Sequence, residues 1–165
     1  MAVTLTADLD LTGFRAVIGA YTQAGEDLTP LMDMCGALLE TSTKDRMRDT
    51  NVSPEGVPWS PSFRSVFDGG KILRDTGRLA DSITHIAGPV SVEVGTNVIY
   101  AGIHQTGGII TAKAGYALAF AFPGGGFAVV EDVSIPARPY LGISEQDRDN
   151  ITSAAVDYFD DAVAR

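Results

Sequence analysis

Between Asn51 and Pro61 the chain carries three prolines and a glycine, and its apolar residues keep different periods on the two sides of that run. Proline lacks a backbone donor and its ring collides with the preceding turn, so no helix continues through this segment. Upstream the apolar residues recur three or four apart. Thr12 precedes Phe14, Val17, Ile18 and Tyr21, which predicts a short helix ending near Gly25. Thr29 and Pro30 open a second helix, because threonine can accept an orphan N–H and proline at the first helical position loses nothing. Leu31, Cys35, Leu38 and Leu39 mark its face, extended by Met32, Met34 and Met47, and predict helix from about Pro30 to Asp49.

Downstream, short helices alternate with period-two runs. Asp75 or Thr76 can cap a helix through Gly77, Leu79 and Ile83. Ile83 to Ala87 and Val90 to Val94 flank Gly88 and Pro89 as a hairpin. Asn97 caps a short helix through Tyr100, Ala101, Ile103 and His104, stopped by Gly107 and Gly108. In Tyr116 to Phe122, bulky residues alternate with Ala117, Ala119 and Ala121, and Pro123 with three glycines turns the chain into Phe127 to Val133, a second hairpin. Ser144 caps a terminal helix carrying Ile151, Ala154, Ala155, Tyr158, Phe159 and Ala162 at helical spacing, with Glu145 and Asp147 near its positive end. The first residues, Val3 to Leu9, alternate as a strand or extended arm.

The fold class expected is therefore α+β, a small, mostly antiparallel sheet of two hairpins packed against one long N-terminal helix and a C-terminal helix. A length of 165 residues with 45% hydrophobic content suits one domain over residues 1–165. The loop 51–70 and the hairpin tip 123–126 are expected to be mobile until assembly orders them, since neither has enough apolar groups to offset its chain entropy.

A net charge of -9 argues against a dedicated nucleic-acid binder, which gathers Lys and Arg on one face. Residues 44–78 carry seven bases against five acids, but Lys44, Asp45, Arg46, Arg48 and Asp49 alternate in sign as a solvated helix face does. From Glu131 onward eight acids face three bases, so a partner of the C-terminal segment should be neutral or basic. The single Cys35 can form no intrachain disulfide and reads as a buried thiol in a reducing compartment. The sequence shows neither an apolar run of membrane-spanning length nor a signal peptide, which predicts folding in the cytoplasm with no membrane partner.

Reactive centres are not evident. There is no G-x-S-x-G elbow to present a serine. His85 and His104 lie on different elements without metal-ligand spacing, and no cofactor motif occurs. Gly124, Gly125 and Gly126 lead into a strand, as a hairpin tip does, and not into the helix that a phosphate loop needs. Asp157, Asp160 and Asp161 read as a solvated face or a partner surface before a cation site. Trp59 either tucks over the edge of the core or anchors a partner. His104, near Tyr100, reads as a satisfied histidine at a helix end in preference to a catalytic base. Pro136, Arg138 and Pro139 hold a planar cation in a stiff turn, as a brace for the terminal helix or a grip on a neighbour's carboxylate.

The order of five short segments carries further. They are Pro54-Glu55-Gly56-Val57-Pro58-Trp59, the stretch from Ile72 through Arg74 and Arg78 to Ile83, Val92-Glu93-Val94-Gly95-Thr96-Asn97, Tyr100-Ala101-Gly102-Ile103-His104-Gln105-Thr106-Gly107, and Ile135-Pro136-Ala137-Arg138-Pro139-Tyr140-Leu141-Gly142. In this order, over about residues 30–160, the chain resembles the phage virion morphogenesis family, the tail completion proteins of Mu-like phages. It departs from that pattern between Ile110 and Val133, where an alanine-rich aromatic strand and a triple-glycine tip replace a more basic connection.

The resemblance implies a non-enzymatic virion protein at the tail end or neck. It would form a homo-oligomeric ring, a hexamer, that completes the tail and supports head–tail joining. The partners implied are the tail tube protein and head–tail connector proteins, with DNA passing through the lumen without specific binding. A head-side connector or adaptor is the alternative, and a small hydrolase using His104 a more distant one. The residues singled out for interaction are Trp59, Arg74, Arg78, Tyr100, His104, Gln105, Phe127, Arg138 and Tyr140.

Overall fold

The computed structural model describes residues 12–67, 69–121 and 125–164. The expected strand at Val3 to Leu9 lies outside these, as do Asp68 and most of the tip after Ala121. In chain order the elements are α1 (Thr12–Glu26), α2 (Thr29–Asp45) with a wider π turn at Arg46–Thr50, α3 (Phe63–Phe67), α4 (Arg78–Asp81), β1 (Thr84–Ala87), β2 (Val92–Gly95), α5 (Ala101–Thr106), β3 (Gly108–Thr111), β4 (Leu118–Ala121), β5 (Phe127–Val130), β6 (Asp132–Ile135) and α6 (Glu145–Ala164). The α+β class and the long helices near both ends are as the periodicity predicts.

α2 is the organising element. It packs on β1, β2 and α6, and α6 also packs on α1 through the Tyr21 and Phe159 rings, whose centroids lie 6.2 Å apart. β1 and β2 form the expected hairpin, with Thr84 opposite Gly95 and Ala87 opposite Val92. The hairpin approaches α2 closely because Gly36 has no side chain: a Cβ there would sit 2.3 Å from the His85 ring and 2.8 Å from Val92 Cγ2. Cys35, beside it, is buried as predicted, and burial pushes its thiol pKa up.

A second buried cluster joins segments remote in sequence: Met47, Trp59, Leu79, Ala80, Ile83, Val98, Ala101 and Tyr140. Each large side chain here contributes about 1.5–3 kcal/mol on leaving water. Residues 51–61 belong to this cluster's roof. Val52 bridges Pro58, and Trp59 donates its N–H to the Asn51 carbonyl at 3.0 Å, so the proline run is tied at both ends.

Local signals differ in some particulars. Thr29 is the first residue of α2 and not its cap, and the Asp27 carboxylate accepts its N–H at 2.9 Å. Thr96, not Asn97, turns the chain ahead of α5, with its hydroxyl accepting the Val98 N–H at 3.1 Å. Ser144 does cap α6: its hydroxyl accepts the Asp147 N–H at 3.1 Å while Asp147 Oδ2 accepts the Ser144 N–H at 2.8 Å, a reciprocal capping box.

The second hairpin is longer than its alternation suggests. β4 pairs with β5 as expected, Ala121 opposite Phe127, but β3 also pairs with β6, Gly108 opposite Ile135 and Thr111 opposite Asp132. Residues 112–117 of the outgoing strand face only Glu131 of the returning one, and they loop out in a turn closed by Tyr116 N–H to the Lys113 carbonyl at 2.9 Å. The result is one two-stranded arm over residues 108–135. Gly107 launches it at φ +70°, where a Cβ would meet Ala137 N at 2.7 Å.

Candidate partner-binding site

Beside the second cluster lies an open cleft of about 440 Å³. α3, the 71–77 turn and α4 form one wall, and Tyr100 just before α5, His104 on α5 and Arg138 form the other. The α5 wall is fixed by backbone capture. The Arg138 N–H donates to the His104 carbonyl at 2.7 Å, and Gln105 Oε1 accepts the N–H groups of Tyr140 and Leu141, each at 3.0 Å. Gln105 Nε2 returns a bond to the Leu141 carbonyl at 3.0 Å, and the Tyr140 hydroxyl donates to the Ala101 carbonyl at 3.1 Å. Trp59 donates its indole N–H to the Pro139 carbonyl at 3.0 Å. Of the residues singled out from sequence, Trp59, Gln105 and Tyr140 are thus the cleft's internal support, and of the two readings of Trp59 the structure shows it tucked into the core.

Arg78, Tyr100, His104 and Arg138 line the cleft together, and Arg74 lies at its rim among Arg64, Lys71 and Asp75. Arg64 is already engaged, pairing with Asp75 and donating to the Arg74 carbonyl. Lys71 donates to the Arg48 carbonyl at 3.0 Å. The exposed side chains of Arg74 and Arg78 have no hydrogen-bond or ion-pair partner among the described residues. Arg138 is only 6% exposed, and it donates through Nε to the Ser60 carbonyl at 2.9 Å and through Nη2 to the Pro61 carbonyl at 3.2 Å. No carboxylate among the described residues meets it.

His104 stacks edge-on against Tyr100, with ring centroids 6.1 Å apart. Burial, and then the Arg138 charge, hold its pKa below the ordinary value, so the ring is neutral near pH 7. Its buried Nδ1 has no hydrogen-bond partner, and neither ring nitrogen meets a hydroxyl, thiol or carboxylate among the described residues. Among those residues there is also no group of three or more His, Cys, Asp or Glu placed to hold a metal, and no helix is long and apolar enough to cross a membrane. Chemically, the cleft is suited to holding an anion.

Phe127 is elsewhere, on the arm. In an antiparallel pair, residues directly opposite share a face. Phe127 and Val129 therefore lie on the face of Ala121 and Ala119, and they project from a bed of small side chains. Phe127 is 75% exposed, Tyr116 77% and Ile109 68%. The sequence reading missed α3, which adds a second apolar surface: Phe63, Val66 and Phe67 are all exposed, at the i, i+3, i+4 spacing that would have marked them.

No solved structure matches this chain. A Mu-like prophage protein of Haemophilus influenzae, FluMu G protein 2, is 39% identical over 90 residues, which are 54% of this chain and 53% of the relative. The chain thus spans about half the length of the curated relative it matches. Residues 9–160 match the phage virion morphogenesis family, a span that takes in α2, the cleft and the arm, and the chain belongs to that family.

Proposed function

We propose that this chain is a structural subunit at the tail end or neck of a phage or phage-like particle, where copies close into a hexameric ring that completes the tail and supports head–tail joining. It works by binding, without catalysis. Tail tube protein and connector proteins are its partners, and DNA passes through a lumen whose acidic walls let it slide.

The observation that carries this reading is the arm. Its strands make their principal contacts with each other, while Ile109, Tyr116, Phe127 and Val129 stand exposed. Side chains of this size leave on the order of 500 Å² of apolar surface in water, more than half of the ~800 Å² that each partner gives to a standard interface. A two-stranded ribbon is also marginal by itself, so a partner that covers it stabilises both surfaces. Family membership and the similarity to a Mu-like prophage protein support placing that partner in a virion. A ring needs head-to-tail contacts in which the arm of one copy meets a different surface of the next.

The test is assembly of the purified chain, alone and with its tail tube protein, followed by light scattering and negative-stain imaging. Rings are expected. F127D/V129D should stay monomeric with an unchanged far-UV CD spectrum, because neither side chain is buried in the subunit. Monomers under all conditions, or a double variant that assembles like the parent, would overturn the proposal. Deleting the gene should leave filled heads and unfinished tails, whereas leaking, empty heads would assign the chain to the connector.

A further inference from the structure

We infer that the cleft holding Arg78 and Arg138 receives the acidic face of α6 from a neighbouring copy of the chain. The cleft needs an anion to complete it. Four bases line it, Arg64, Lys71, Arg78 and Arg138, against the single carboxylate of Asp75, which Arg64 already occupies. Among the described residues Arg138 meets two neutral carbonyls and no carboxylate, and a desolvated cation without a counter-charge is costly to bury, so its charge is available to an incoming carboxylate. Arg78 in the cleft and Arg74 at its rim stand exposed and unpaired among the described residues, placed to make further charge-assisted bonds.

The same chain carries the matching charge. Asp157, Asp160 and Asp161 fall on one face of α6 at i, i+3, i+4, all exposed and without a basic partner among the described residues. They do not fill the cleft of their own subunit. That end of α6 is held against α1, where the Tyr158 hydroxyl donates to the Ala24 carbonyl at 3.3 Å, and no residue of α1 or α6 lines the cleft. Unmatched acids on one side and unmatched bases on another give a head-to-tail contact, the kind that closes a ring. Subunits of net charge -9 repel one another, and seating acids in a basic hollow turns part of that repulsion into attraction. DNA is the poorer occupant, because phosphate binders gain affinity by neutralising many phosphates along a groove, and this cleft is short and set in an acidic chain.

This inference rests on the ring reading, and charge-swapped full-length chains separate the two. R74E/R78E and D157K/D160K/D161K change exposed side chains only, so each should keep the parent's CD spectrum and melting temperature. By sedimentation velocity, each swap alone should assemble at least about tenfold more weakly than the parent, and the parent's assembly should weaken with salt. An equimolar mixture of the two should regain assembly in part, since the introduced glutamates then face the introduced lysines and the unaltered cleft faces the unaltered acids. Swaps that assemble like the parent would sink the cleft contact and leave the ring standing. A mixture that fails to recover would show that the two patches do not meet. A parent that never assembles would remove the ring itself. Salt-sensitive binding of a short duplex DNA by the parent, lost in R74E/R78E, would give the cleft to phosphate.

Discussion

Arg46 and Arg138 are hidden from solvent to the same degree, 5% and 6% exposed, yet their surroundings differ in kind. Arg46 pairs with Asp147, and it also donates to the Tyr140 carbonyl at 3.0 Å, the Gly142 carbonyl at 3.1 Å and the Ser42 hydroxyl at 2.9 Å. Its charge is cancelled inside the subunit, where it ties the end of α2 to the start of α6. Arg138 has two carbonyls and no carboxylate among the described residues. A buried cation that is fully matched belongs to folding, and one left unmatched keeps a potential that a partner can use. The largest expected effect follows from removing half of the matched pair. Arg46→Ala or Asp147→Ala leaves an uncompensated buried charge and should cost about 3–5 kcal/mol in urea unfolding, whereas the double variant should cost less than the sum by about 1–3 kcal/mol. Costs that simply add would show that the two groups act separately.

Arg138→Met sharpens the contrast from the other side. It gives up two hydrogen bonds to carbonyls and also relieves the burial of an unpaired charge, so the isolated subunit should lose only about 1 kcal/mol or less. Ring formation should suffer far more than stability. A loss as large as that of Arg46→Ala would mean that Arg138 is a brace of the fold, the other use its stiff proline turn suggests.

The two arginines also mark where local sequence signals end. Ser144 and the acids after it were legible because a capping box is a contact three residues long. α1, α2 and β1–β2 were legible because their apolar periods run unbroken. By its neighbours alone Arg46 belongs to a solvated, sign-alternating face, and the structure corrects this. Its partner Asp147 stands 101 residues away, and only the tertiary fold, with the π turn at the end of α2, points it inward. The arm reads short in the sequence because the alternation begins only at Tyr116, and β3, behind its two glycines, has no period to show. α3 was lost among Ser, Pro and Gly, although Phe63, Val66 and Phe67 kept helical spacing. Arg78, Tyr100, His104 and Arg138 each stand out singly in the sequence. Nothing local announces that α4, α5 and the 136–139 turn converge on one cleft.

The smallest effect concerns a second matched cation, whose charge depends on pH. His85 Nδ1 lies 2.7 Å from Glu40 Oε2 and Nε2 lies 3.2 Å from Asp33 Oδ1, so both ring nitrogens face carboxylates and both bonds are satisfied only by imidazolium. The Glu40 hydrogen bond is the main reason its pKa stands above 6.5; burial works against it, and the Asp33 bond adds to it. A raised value in the folded state means a contribution fully present below the unfolded pKa and lost as pH climbs through the folded one. The packing of β1 on α2 should therefore weaken above about pH 6.5, lowering Tm by ~1–2 °C because the pair is partly screened by water. The Arg46 clamp is silent in that window. Burial raises the Asp147 pKa, but hydrogen bonds from Ser42 and Ser144 and the Arg46 charge together hold it below 3.8, so its share is lost only in stronger acid. His85→Gln should flatten the slope of Tm against pH above 6.5 and leave the acid limb alone. A slope that survives the substitution belongs to another group, and His85 would then be held by shape against Gly36 and not by its charge.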